Sequence, residues 1–182
     1  MLNLTLTQYD SAVENCSIIF FKKMKDYGTA WRILRLSSIT DQIFIKAQRI
    51  RSIEDKGTQK IEEGIVSEYI GIVNYSIIGL IQLDLGLEGQ LELPYEEAVA
   101  LYRKQVLSAR NLMEDKNHDY GEAWRKIRIS SLTDLILMKL LRIKQIEDNK
   151  GATVISEGID ANYFDIINYA VFALIRLQEI NN

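Results

Sequence analysis

Cysteine, proline and histidine are almost missing from this sequence of 182 residues, in which each occurs once. The lone cysteine, Cys16, excludes an internal disulfide, and one thiol without further cysteines or histidines nearby excludes a zinc site of the usual kind. Proline interrupts helices, so its scarcity favours long ones, and a content of 47% apolar residues is enough for a hydrophobic core. The sequence therefore predicts an all-α fold.

An excess of positive charge and a long apolar run are also missing. The 22 basic residues are outnumbered by 25 acidic ones, which disfavours duplex nucleic acid as a partner but is compatible with a small phosphorylated ligand. The longest apolar stretch, Tyr69 to Leu83, contains polar residues and is shorter than the roughly 20 residues of a membrane span. The N-terminus lacks the basic and apolar segments of a signal peptide. We therefore expect a soluble, cytoplasmic protein with no membrane partner.

The chain contains an internal duplication. Residues 26–54, DYGTAWRILRLSSITDQIFIKAQRIRSIE, match residues 119–147, DYGEAWRKIRISSLTDLILMKLLRIKQIE, at 17 of 29 positions. After one inserted residue the match resumes, with EGIVSEYIGIVNYSIIGL from Glu63 over EGIDANYFDIINYAVFAL from Glu157. Because the repeating unit is as long as a small domain, a solenoid of short repeats is excluded. We divide the chain into a first repeat, residues 1–88, and a second repeat, residues 89–182.

Each repeat is predicted to form three long helices, with a short one after the first. In the first repeat the expected helices cover about residues 9–25 and 30–36, then a segment capped by Ser38 and ended by Gly57, then residues 61–83. The first helix of the second repeat, starting at Pro94, is expected to be seven residues longer than its counterpart. Two such three-to-four-helix units predict a helical bundle with a pseudo-two-fold axis, as a monomer with dimer-like halves or as a homo-oligomer.

Acidic residues share one face of the last predicted helix. Glu157, Asp160 and Asp165 lie on the same side as Asn168, at about 100° per residue, and carboxylates so placed could hold Mg²⁺. Glu147, near the end of the preceding helix, is the further candidate ligand. A solvated acidic face is the alternative interpretation.

The first repeat lacks two of these acids. Val66 and Gly71 stand at the positions of Asp160 and Asp165, and Glu68 lies about 60° from the missing aspartate, which makes it a poor replacement. A metal site would therefore belong mainly to the second repeat.

Lys139 is expected to face Asp165 across a helical hairpin, and a salt bridge is one interpretation. Lys46 is nevertheless kept in the first repeat, where Gly71 replaces the aspartate, and this favours phosphate as the partner of the lysine. Three arginines of the first repeat recur in the second as Arg125, Arg128 and Arg142. With Lys139 they form the candidate phosphate-binding set, and solvated or ion-paired arginines are the alternative.

Aromatic and amide residues complete the candidate site. Tyr120 and Trp124 take the places of Tyr27 and Trp31 in the repeated DYGxAWR motif, either as core anchors or as surfaces for stacking a base. Asn168 lies among the acidic residues of its helix, whereas its counterpart Asn74 lies in a nearly apolar helix. A buried amide needs a hydrogen-bond partner, so we expect Asn168 to orient a ligand or a neighbouring group.

The segments KMKDYGTAWR and KNHDYGEAWR, the pattern TDxIxxKxxRIxxIE and the closing DIINYA resemble the nucleotide-modification-associated domain family, over nearly the whole chain and twice. That resemblance implies a role in nucleotide metabolism. A weaker similarity is to MazG-type all-α nucleoside triphosphate pyrophosphohydrolases, whose ExxE and ExxD motifs hold Mg²⁺. Glu157-Gly-Ile-Asp160 matches ExxD, whereas the preceding helix has no ExxE and offers only Glu147.

Two functions are compatible with these patterns. In one, Glu157, Asp160 and Asp165 hold Mg²⁺, which activates a water for attack on a nucleotide phosphate held by the basic residues. In the other, the protein is a non-catalytic helical module that binds a nucleotide or a partner protein. The sequence leaves open whether the protein is an enzyme.

Overall fold

The computed structural model describes residues 2–58, 64–153 and 157–181, with side chains from Leu4 onward, and Glu63 lies outside these ranges. Among the described residues there are six α-helices, two short 3₁₀-helices and no strand, which confirms the all-α fold. The elements are α1 (Leu2–Tyr27), a 3₁₀-helix (Ala30–Ile33), α2 (Leu36–Lys56), α3 (Ile65–Leu85), α4 (Tyr95–Tyr120), a second 3₁₀-helix (Ala123–Lys126), α5 (Ile129–Asp148) and α6 (Ile159–Asn181).

The first helices of the two repeats have equal lengths. Both α1 and α4 contain 26 residues, so the expected difference of seven residues is wrong. α1 begins at Leu2 because its first turns pack on the second repeat, where Arg125 donates to Thr5 Oγ1 (2.6 Å) and to Gln8 Oε1 (2.7 Å). These contacts join segments 117 or more residues apart, so local sequence does not reveal them.

Gly57 ends a helix as predicted and Gly28 ends another, whereas one predicted cap is wrong. Gly28 (φ +57°) follows α1 and Gly57 (φ +69°) follows α2, and both adopt the left-handed conformation that glycine tolerates best. α2, however, begins at Leu36, with Arg35 at the N-cap position and no capping side chain. Ser38 therefore lies inside the first turn of the helix.

The repeats pack together through equivalent helices. α3 lies against α6, α2 against α5, and α1 against α4, and their buried side chains form one continuous core. α3 is also long and apolar enough to cross a membrane by length and composition, but 67% of its most apolar window is buried inside the bundle. It serves here as a core helix of the bundle.

Buried Asn74 and Asn168 each tie both repeats together. Tyr102 Oη donates to Asn74 Oδ1 (2.8 Å), while Asn74 Nδ2 donates to the carbonyl of Cys16 (3.1 Å). In the equivalent arrangement around Asn168, Tyr9 Oη donates to Asn168 Oδ1 (2.7 Å), while Asn168 Nδ2 donates to the Ala109 carbonyl (3.1 Å). The partners expected for these amides are therefore a tyrosine of the opposite repeat and a backbone carbonyl.

A second pair of contacts crosses between α2 and α5. Thr133 Oγ1 donates to Glu54 Oε1 (2.8 Å) and lies 2.6 Å from Tyr69 Oη. Thr40 Oγ1 makes the same two contacts with Glu147 (2.7 Å) and with a tyrosine hydroxyl, that of Tyr163 (2.7 Å). Burial raises the pKa of each glutamate, and the hydrogen bond from threonine offsets part of that rise.

The connection between repeats is attached to the first 3₁₀-helix. The buried Arg32 side chain donates to the side chain of Gln82 and to the backbone carbonyls of Gly86 (3.0 Å) and Gln90 (3.3 Å). Arg32 is thus a structural residue, because its guanidinium satisfies carbonyls at the end of α3 and in the loop that follows.

Candidate functional site

Two cavities occupy equivalent positions in the two repeats. The first cavity, about 480 Å³, lies between α1, the following 3₁₀-helix, α2 and α3. The second cavity, about 310 Å³, lies between α4, its 3₁₀-helix and α6. Small-molecule sites commonly measure about 300–1,000 Å³, so the first cavity is well within that range and the second is at its lower limit. The matching wall residues include Lys23 and Lys116, Tyr27 and Tyr120, Trp31 and Trp124, Gly71 and Asp165, Asn74 and Asn168, and Tyr75 and Tyr169.

In the second cavity a buried aspartate is held by two lysines. Asp165, 6% exposed, receives Lys116 Nζ at one carboxylate oxygen (2.6 Å) and Lys139 Nζ at the other (2.7 Å). Burial lowers the pKa of Lys116, but the hydrogen bond and charge of Asp165 outweigh this, so its pKa is raised. The salt bridge considered from the sequence is therefore present, and it engages the lysine that was expected to hold phosphate.

In the first cavity the corresponding lysine has a different acid beside it. Glu68 lies 2.6 Å from Arg49 Nη1 and 3.6 Å from Lys46 Nζ, although its position on the helix is offset from that of the missing aspartate. The long side chains cover the angular offset along the helix. Lys46 therefore has a carboxylate partner, which removes the reason for inferring phosphate from its retention alone.

The walls of the two cavities nevertheless differ in charge. Lys23 and Lys46 line the first cavity, and among the described residues no acid does so, because Glu68 is not part of the wall. Lys23 makes no ion pair with any residue that the structure describes, and it is exposed. In the second cavity Asp165 is itself a wall residue. The first cavity is thus the larger one, and its wall is cationic.

The four carboxylates predicted to hold Mg²⁺ are not assembled. Glu157 and Asp160 are exposed, Asp165 faces its two lysines, and Glu147 bonds to Thr40 of the first repeat. Within residues 2–58, 64–153 and 157–181, no three acidic, histidine or cysteine side chains lie close enough to hold a metal ion. Glu157 lies before α6, which begins at Ile159, and Asp160 is exposed whereas Asp165 and Asn168 are buried. The expectation that these residues share one helical face is therefore wrong, and the partners of Glu147 and Asp165 come from other helices.

The predicted phosphate-binding arginines are separated by their contacts. Arg125 pairs with Glu179 (3.0 Å), lies over the Trp124 ring (4.3 Å) and donates to α1, so it joins the repeats. Arg128 and Arg142 are exposed, and neither has an ion pair with a described residue. The ion-paired alternative therefore holds for Arg125, while Arg128 and Arg142 lie outside the walls of both cavities.

The aromatic residues divide into wall and surface positions. Trp124 stacks on Phe172 with ring centroids 4.2 Å apart and 4° between the planes, as a core anchor would. The indole nitrogens of Trp31 and Trp124 are buried without a hydrogen-bond partner among the described residues. Tyr27 and Tyr120 are 74% and 73% exposed, and each belongs to a cavity wall. They are therefore available to a ligand, unlike a core residue.

Sequence reasoning missed the lysines of α1 and α4. Lys23 and Lys116 stand at matching positions of the two repeats, at the start of KMKDYG and KNHDYG. That match is the signal that could have identified them. The cavities themselves have no sequence signal, since they depend on how α1 and α4 pack on the other helices.

Comparison with known proteins supports the duplication. A family model described as nucleotide modification associated domain 1 matches residues 23–83 and again residues 116–177, together about two thirds of the chain. The matched segments begin at Lys23 and Lys116. No curated protein and no solved structure matches the chain, so the similarity to MazG-type enzymes has no support from these comparisons.

Proposed function

The chain belongs to the nucleotide modification associated domain 1 family, and we propose that it binds a nucleotide in the first cavity. The observation that carries this proposal is a cavity of about 480 Å³ whose wall combines aromatic side chains with Lys23 and Lys46 and, among the described residues, no acid. Its volume is in the range of small-molecule sites. The family description supports the same class of ligand.

The wall residues suit the two parts of a nucleotide. The rings of Tyr27, Trp31 and Tyr75 offer apolar faces on which a base can stack. Lysine ammonium groups attract phosphate as compact point charges. The first cavity therefore provides for a planar base and for an anionic group within one wall.

Our proposal is for binding and not for hydrolysis. Asp165 is paired with Lys116 and Lys139, and Glu147 accepts a hydrogen bond from Thr40, so each of these carboxylates already has a partner in the protein. Magnesium-dependent hydrolysis stays a prediction from the sequence. The proposal includes a cytoplasmic location and a small-molecule partner. It includes no role in binding duplex nucleic acid.

The two tryptophans of the chain make the proposal testable in each repeat separately. Trp31 belongs to the wall of the first cavity and Trp124 to the wall of the second. Variants Trp124→Phe and Trp31→Phe leave one fluorophore each, and circular dichroism verifies that both fold. Ribo- and deoxynucleoside 5′-phosphates of the common bases are then titrated into each variant.

We expect a nucleotide to change the fluorescence of Trp31 in Trp124→Phe and to leave Trp124 in Trp31→Phe unchanged. Calorimetry on the unmodified chain should give one site. If no nucleotide of the panel binds, or if only Trp124 responds, the proposal is wrong.

A further inference from the structure

The two repeats provide one acid each for their lysines, but at different turns of the equivalent helices. In α3 the acid is Glu68, and the position one turn later is Gly71. In α6 the counterpart of Glu68 is Asn162, and the acid is Asp165 at the position of Gly71. The acid has therefore changed place while the charge around the lysines is kept.

This exchange changes what lines each cavity. Asp165 belongs to the wall of the second cavity, and each of its oxygens accepts from a different lysine. Glu68 is outside the wall of the first cavity and lies closer to Arg49 (2.6 Å) than to Lys46 (3.6 Å). Glu68 is shared between Arg49 and Lys46, and Lys23 has no ion pair with a described residue, so the wall of the first cavity keeps an excess of positive charge.

We infer that Asp165 occupies, in the second cavity, the place that the ligand's phosphate takes in the first, beside Gly71 and held by Lys23 and Lys46. This inference rests on the proposed function and specifies the ligand as a nucleoside monophosphate. A phosphomonoester carries about −1.5 to −2 charges near neutral pH, which matches two lysines, whereas a triphosphate would carry more. In the second cavity the Asp165 carboxylate takes the position of the anion, so this cavity takes no anionic ligand.

The absence of a side chain at position 71 is required by this arrangement. A Cβ built on Gly71 would lie 2.8 Å from Lys46 Cε and 3.1 Å from its Nζ, closer than non-bonded carbon atoms normally approach. A side chain there would displace the lysine from its present position. Glycine at this position therefore allows the Lys46 side chain to lie directly against α3.

The first experiment uses an exposed residue, so that folding is not at risk. Lys23→Met removes one of the two lysine charges, and Lys22→Met is the matched control, because Lys22 is also exposed but does not line the cavity. Affinity for nucleoside 5′-monophosphates and for the parent nucleosides is measured by calorimetry. We expect monophosphate affinity to fall roughly 10- to 150-fold in Lys23→Met, as for one charge-assisted contact, and to be unchanged in Lys22→Met.

The second experiment exchanges the acids between the repeats. Gly71→Asp with Glu68→Asn copies the second cavity into the first, and Asp165→Gly with Asn162→Glu does the reverse. The first double variant should lose monophosphate binding, while the reverse variant should bind two monophosphates per chain, with the second one changing the fluorescence of Trp124. If one double variant does not fold, the other together with Lys23→Met still decides the question.

The outcomes separate the inference from the function on which it rests. If the unmodified chain binds no nucleotide, both fail. If it binds a monophosphate but Lys23→Met and Gly71→Asp with Glu68→Asn leave its affinity unchanged, the phosphate is held elsewhere and only the inference is overturned. Equal affinity for a nucleoside and its monophosphate in the unmodified chain would also overturn it.

Discussion

Loss of one hydroxyl at the contact between the repeats should destabilise the whole protein. Tyr102 is fully buried, and its hydroxyl is the donor to Asn74 Oδ1 at 2.8 Å. Phenylalanine keeps the ring, which packs 4.7 Å from the Phe20 ring centroid, so that Tyr102→Phe removes the hydrogen bond and little else. The amide oxygen of Asn74 then stays buried without its donor, which costs about 1–3 kcal/mol of the free energy of unfolding.

For a chain of this size that loss corresponds to a decrease of roughly 2–12 °C in melting temperature. Urea unfolding followed by circular dichroism measures the loss in free energy of unfolding. Tyr95→Phe is the control, because Tyr95 is 38% exposed and its hydroxyl has no hydrogen bond with a described residue. Since the bond joins the repeats, we expect one transition for the whole chain, shifted as a unit. An unchanged midpoint in Tyr102→Phe, or a transition that splits into two, would refute the reasoning.

Three further predictions concern other buried groups. Lys139→Met should lower the free energy of unfolding by about 1.5–3 kcal/mol, because Asp165 loses one of its two charged donors. Calorimetry should find the nucleotide affinity of this variant unchanged. Weaker binding with an unchanged melting temperature would contradict this prediction. The pKa of Glu54 is raised in the folded protein, so the contribution of this group to stability is lost as pH rises above 4.5. Glu54→Gln should therefore be more stable than the unmodified chain at pH 7 and should lose that advantage towards pH 4.5. Urea midpoints measured across this range would show the change. Arg32→Met should accelerate amide hydrogen exchange in residues 86–90, because the carbonyls of Gly86 and Gln90 lose their donor. Equal exchange in both proteins would show that Arg32 does not hold this loop.

The fold was largely accessible from the sequence, because its signals are local or repeated. Scarce proline, helical periodicity and the match between residues 26–54 and 119–147 predict six long helices in two units, and six α-helices are observed among the described residues. Gly57 marks the end of α2 correctly, because a left-handed residue is a local requirement. The start of α1 at Leu2 was missed, because it depends on contacts of Thr5 and Gln8 with a distant arginine.

The candidate site was less accessible, because its properties depend on the reach of side chains and on distant helices. Helical angles gave the direction in which Glu68 leaves the helix, but not how far its carboxylate and the ammonium group of Lys46 extend towards each other. The need of Asn74 for a partner was predicted, but its donor, Tyr102, belongs to the other repeat. The size of a cavity is a property of packing, and no pattern in the sequence records it.

The reciprocal bonds from Tyr9 to Asn168 and from Tyr102 to Asn74 are the arrangement that two identical chains would make across a two-fold axis. In a homodimer encoded by one gene, every substitution appears in both binding sites, so a site cannot be closed without closing its twin. Fusion of two gene copies removes this restriction, because each half can then mutate separately while the other keeps the pairing intact. Gly71 and Asp165 are a difference that the two identical chains of a homodimer could not carry, and fusion would thereby allow one site to be lost while the other is kept.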